Sequence, residues 1–75
     1  MAETESVRIE VGFDGGQIMS ALVTVEGAEQ LETALRDEGP PLIALDANDG
    51  RYTIVLRRVV YLKRFARESA IGFGL

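Results

Sequence analysis

Apolar and polar residues alternate along the first part of the chain. Val7, Ile9, Val11 and Phe13 are separated by Arg8, Glu10 and Gly12, a period of two that predicts a half-buried strand. In Asp14-Gly15-Gly16-Gln17, glycines supply the positive φ that a tight hairpin turn needs. Ile18 to Val25 returns as a second strand, with Met19, Ala21, Val23 and Val25 on one face and Ile18, Ser20, Leu22 and Thr24 on the other. The period then changes. Over Glu26–Glu38, Ala28, Leu31, Ala34 and Leu35 recur at three- and four-residue steps, which predicts one helix with a narrow apolar stripe. Glu26 and Glu29 suit its positive N-terminal end, and Glu32 with Arg36 makes an i,i+4 pair. Gly39 and Pro40-Pro41 predict the stop, with glycine in the left-handed cap position. No Ser, Asp or Asn caps the start.

Leu42–Leu45 reads as a short strand, Asp46–Gly50 as a turn, and Arg51–Leu56 as a return strand with Tyr52, Ile54 and Leu56 facing one way. Arg57-Arg58 interrupts it, and Val59–Phe65 forms the last strand. Val60 and Leu62 fall on one face of that strand, Val59 and Tyr61 on the other. Two apolar faces predict a central strand, covered on both sides. A single helix covers only one side of the sheet. The other side, around Val59, Tyr61 and Phe65, with Ile71 and Phe73 from the tail, is expected to be an interaction surface, and self-association is its simplest use.

The predicted class is α+β: a β-hairpin, one helix, then two or three strands. Together they make a mostly antiparallel sheet of four or five strands with the helix on one face. Residues 7–66 form the single domain, after a disordered tail over 1–6. Residues 67–75 form a C-terminal tail that extends the last strand or docks on a neighbour. A chain of 75 residues buries only about 60–65% of its unfolded surface, so an oligomer interface would help it. The absence of cysteine excludes disulfides and thiolate metal sites and fits a reducing cytoplasm. The longest apolar runs are four residues, against roughly 20 for a membrane span. The acidic, polar start is unlike a signal peptide. A cytoplasmic protein that does not engage membranes is expected.

Charge divides the chain. Residues 1–50 carry eleven acids and two bases, a net of −9; residues 51–75 carry six bases and one acid, a net of +5. The two halves are expected to face each other, within one fold or across a dimer. The alternative is a nucleic-acid or acidic partner for the basic end. Arg51, Arg57, Arg58, Lys63, Arg64 and Arg67 lie near Tyr52, Tyr61 and Phe65, the mixture that combines phosphate contact with base stacking. The pI of about 4.6 opposes that reading, since nucleic-acid modules are commonly basic overall.

Chemistry has little to use. Without histidine the commonest general base is missing, and without cysteine so is the commonest thiol nucleophile. Asp46, Asp49 and Glu10 could supply a pair of carboxylates but read as solvated acids. Asp46-Ala-Asn48-Asp49-Gly50 begins like a calcium loop, yet its third acid is misplaced and Arg57 stands where the bidentate glutamate belongs. Gly12-Phe-Asp-Gly15-Gly16 lacks the strand-to-helix setting and GK[ST] ending of a phosphate loop. No catalytic residue, metal or cofactor is expected. A non-enzymatic module that binds itself or another protein is the leading expectation, with nucleic acid second.

The order strand–hairpin–strand–helix–strands resembles the β-grasp arrangement of ubiquitin-like proteins, which implies a last strand lying centrally beside the first. Ubiquitin-like modifiers and sulfur carriers end in Gly-Gly. This chain ends Gly72-Phe-Gly-Leu75, so the resemblance implies neither role. Val7-Arg-Ile-Glu-Val-Gly, Glu29-Gln-Leu-Glu-Thr-Ala-Leu, Leu45-Asp-Ala-Asn-Asp-Gly-Arg51, Arg58-Val-Val-Tyr-Leu and Ile71-Gly-Phe-Gly74 together resemble a family of small actinobacterial proteins of unknown function. That resemblance carries no activity or site residues with it.

Overall fold

The alternation at the start of the chain becomes β1 (Ser6–Phe13) and β2 (Ile18–Thr24) in a computed structural model that describes residues 5–66. The two strands pair antiparallel from Ser6↔Thr24 to Gly12↔Ile18. Gly15 and Gly16, with φ of 91° and 92°, close the hairpin in a conformation that residues with a Cβ rarely adopt. The helix α1 spans Val25–Arg36. β3 (Leu42–Ala47) and β4 (Gly50–Val55) form a second antiparallel hairpin, and the short 3-10 turn Leu56–Arg58 leads to β5 (Val59–Arg64). The fold is α+β: a five-stranded antiparallel sheet in the order β4-β3-β2-β1-β5 with one helix. Among the described residues no helix is long and apolar enough to cross a membrane.

One face of the sheet and the helix stripe make the core. Ile9, Val11, Ala21, Val23, Leu45 and Ile54 alternate inward and meet Ala28, Leu31 and Ala34 of α1, with Leu56 closing one end. No polar side chain among the described residues is buried. The core is therefore wholly apolar and non-directional, and the hairpin registers must fix its geometry.

The two hairpins are joined unequally. β1 and β2 share a ladder along their length, whereas β2 and β3 share one pair, Val23↔Ala47, with a bond from the Asn48 N–H to the Leu22 carbonyl. A flat sheet would place β4 and β5 about 19 Å apart, four strand spacings. The chain from Val55 to Val59 reaches at most about 14 Å. The sheet thus curls at the β2–β3 seam, bringing its two edges together near Leu56–Arg58. The Asp14 N–H to Arg58 carbonyl bond, 2.9 Å, ties that end.

Three local features differ from the sequence reading. The helix start is capped by Thr24, whose Oγ1 accepts from the Gly27 N–H at 2.9 Å. Read as the last outward residue of a strand, Thr24 also serves as the first residue outside the helix. At the other end the left-handed position is Glu38, φ 53°, and not Gly39. The Gly39 N–H bonds to the Ala34 carbonyl and the Asp37 N–H to the Thr33 carbonyl, a Schellman-type close in which Gly39 comes one residue after the left-handed turn. β5 does lie beside β1, but as an edge strand and not a central one. Its apolar doublets arise from a register shift opposite Gly12/Phe13: Tyr61 pairs with Gly12, Val59 with Phe13, and Val60 is extra. Across such a bulge the alternation of faces slips by one residue. Val59 and Leu62 consequently pack on the core, while Val60 and Tyr61 are exposed.

Candidate interaction surface

The helix-free face is built from the outward positions of the strands. On β2, β1 and β5 the registers place Ile18, Gly12 and Tyr61 in one row and Ser20, Glu10 and Lys63 in the next. Leu22 and Arg8 follow, joined by Phe65, whose N–H bonds to the Arg8 carbonyl. On β3 and β4 the outward pairs are Leu42–Val55, Ala44–Thr53 and Asp46–Arg51.

Gly12 has a specific reason to be glycine. A Cβ built there would lie 2.1 Å from Cε2 of Tyr61, so the ring occupies the space above this bare stretch of backbone. Glycine weakens a strand, and a cross-strand aromatic laid over it restores part of the lost contact. The Tyr61 hydroxyl donates to Oε2 of Glu10, which holds the ring along the face. That bond to a carboxylate, followed by desolvation and the Glu10 charge, raises the phenol pKa above its usual value. Tyr52 repeats the arrangement on the second hairpin: its hydroxyl donates to Asp49 at 2.9 Å and its pKa is raised for the same reasons.

Of the residues expected at the interaction surface, Tyr61 and Phe65 share the helix-free face. Val59 points to the opposite side because of the bulge, and Ile71 and Phe73 lie outside the described residues. Four exposed residues escaped the sequence reading: Ile18, 61% exposed, Val60, 66%, Leu42 and Val55. Ile18 and Val55 were visible as outward positions of their strands. What remained hidden was that the first residues of β2, β3 and β5 and the last of β4 gather at one end, around Leu56–Arg58.

The basic run is largely spoken for. Arg51 pairs with Asp46 at 3.0 Å, Arg58 with Asp14 at 3.3 Å and Arg64 with Glu32 at 3.3 Å. Each bridge joins the positive end of the chain to its negative first half, so the charge asymmetry is partly resolved within one fold. All three are exposed pairs, each contributing about 0–1 kcal/mol. Lys63 sits over the Phe65 ring, 4.4 Å from its centre, and Arg57 borders the C-terminal end of α1. Arg67 lies outside the described residues. The carboxylates considered for metal or acid–base work have structural partners: Asp46 holds Arg51, Asp49 holds Tyr52 and Glu10 holds Tyr61. No group of three acids among the described residues is placed to hold a metal ion. No family model, curated protein or solved structure matches the chain.

Proposed function

We propose that this chain is a small, cytoplasmic, non-enzymatic interaction module that forms a homodimer through its helix-free sheet face. The observation that supports this reading is where the exposed large apolar side chains lie. Four of the five exposed large apolar residues described, Ile18, Leu42, Val55 and Tyr61, project from the face that α1 leaves bare, the fifth being Val60 at the bulge of β5, whereas the buried residues of α1 all belong to its inward stripe. The same face carries both signs of charge, in Arg8, Glu10 and Lys63. A two-fold dimer requires a patch complementary to itself, and alternating charge among apolar anchors satisfies that requirement.

The test is oligomeric mass by light scattering for the wild type and for Ile18→Asp, with far-UV circular dichroism as a check on folding. Ile18 is exposed, so the substitution leaves the core intact. The expected result is a dimer for the wild type and a folded monomer for the variant. A control change on the helix, Gln30→Asp, leaves the dimer in place. A wild type that stays monomeric at high concentration removes the proposal.

A further inference from the structure

A second surface lies on the other side of the molecule, where β3 runs beside α1. The hairpin turn at Asn48-Asp49 sets which way the β3 backbone groups point. With Ala47 paired to Gly50 across that turn, the N–H and C=O groups of Ile43, Leu45 and Ala47 face β4. Those of Leu42, Ala44 and Asp46 face the opposite edge. β2 covers this edge only at Val23↔Ala47. Leu42 and Ala44 therefore present N–H and C=O groups with no backbone partner among the described residues, and both residues are exposed.

Next to this bare edge is a depression of about 580 Å³ between α1 and β3. Its floor is Ala34 and Ile43, the latter lying between the two unpaired β3 residues. Its rim is Glu26, Glu29, Thr33 and Asp37 from the helix. No basic side chain lines it. None of its three carboxylates has an ion-pair partner among the described residues, in contrast to Asp14, Glu32 and Asp46. An open strand edge beside a helix is the setting in which an extended peptide adds as another strand: main-chain bonds supply affinity, and alternate side chains enter the groove for specificity.

We propose that the trough between α1 and β3 binds an extended, basic segment of another protein, added antiparallel or parallel to β3 at Leu42–Ala44. The partner's alternate lysine or arginine side chains meet Glu26, Glu29 and Asp37. A second copy of this chain is the wrong occupant, because among the described residues its basic side chains sit in β1, α1, β4, β5 and the turn between β4 and β5, all already built into its own fold. The site uses the backbone edge of β3 and the trough beside α1; Leu42 belongs to both surfaces, its backbone groups to this edge and its side chain to the helix-free face.

The probe is an acetylated, amidated heptapeptide alternating lysine and valine, titrated into the full chain and followed by backbone amide NMR. The expected result is saturable shifts at Leu42, Ala44 and the Glu26–Asp37 face, with slowed exchange of the Leu42 and Ala44 amides. A glutamate–valine peptide, or the lysine peptide with alternate amides N-methylated on the edge-pairing side, binds at least about tenfold more weakly. Glu26→Lys/Glu29→Lys, both on the exposed side of the helix, lowers affinity by a similar factor. Any of three results overturns the proposal: no saturation by about 1 mM peptide, shifts confined to the helix-free face, or binding indifferent to N-methylation.

Discussion

The β3–β4 hairpin is attached to the rest of the sheet by a single backbone pair, so its docking depends on side chains, above all Leu45 and Ile54. Leu45 is 1% exposed, and its Cδ2 lies close to Gly27 of α1. Leu45→Ala removes a buried branch at the junction of β3 and the helix. Such truncations cost about 2–5 kcal/mol, and a site opening onto a seam that can partly collapse should sit near about 3 kcal/mol. A 75-residue domain has a total stability of about 4–11 kcal/mol, so the variant stays folded but loses a large share. The loss should also be local. A free two-stranded hairpin is marginal in water, while β1 is held by strands on both sides. Native-state hydrogen exchange separates these cases. Amides bonded within the second hairpin, those of Ile43, Leu45, Tyr52 and Ile54, should exchange about a hundredfold faster in Leu45→Ala, the factor that about 3 kcal/mol sets. Amides of Ile9, Val11 and Ala21 should change much less. Val11→Ala, on the central β1, should instead lower protection everywhere together. A uniform acceleration in Leu45→Ala would refute the argument, since it would mean that the seam transmits stability as well as a full ladder does.

Further predictions concern single residues. Gly12→Ala forces the Tyr61 ring off the backbone and away from Glu10, so the Tyr61 phenol should titrate nearer its ordinary value, as it should in Glu10→Gln; absorbance at alkaline pH reads this directly. Because the folded-state pKa values of Tyr61 and Tyr52 are raised, their contribution is fully present below the unfolded value of about 10 and is lost as pH rises through the folded ones. Stability should therefore fall more steeply above that pH in the wild type than in Glu10→Gln. At the helix ends, Thr24→Ala should cost about 1 kcal/mol by removing the cap. Glu38→Gly should raise the melting temperature by relieving a left-handed residue; both are read by thermal denaturation.

Much of the fold was legible because it rests on period. The two-residue alternation in β1 and β2 and the three- and four-residue steps of Ala28, Leu31 and Ala34 each name their element and its inward face. The charge division left open whether the two halves meet within one fold or across a dimer; the bridges from Arg51, Arg58 and Arg64 to acids of the first half fall within one fold. What escaped reading depends on residues that serve two elements or break a period. Thr24 closes a strand and caps a helix, and Val60 shifts the register so that Val59 and Tyr61 part company. The edge position of β5 follows from pairing between distant segments, which no local pattern encodes. Gly12 offered a further missed signal, a glycine inside an alternating strand.

The central claim is that the face left bare by α1 is closed by a second copy of the chain. Light-scattering mass after size exclusion tests it most directly, at low salt and again at about 0.5 M salt, where the Debye length falls to a few ångströms. Apolar contact through Ile18, Leu42, Val55 and Tyr61 predicts a dimer under both conditions. A monomer under both, or a dimer that salt dissolves, would contradict the account.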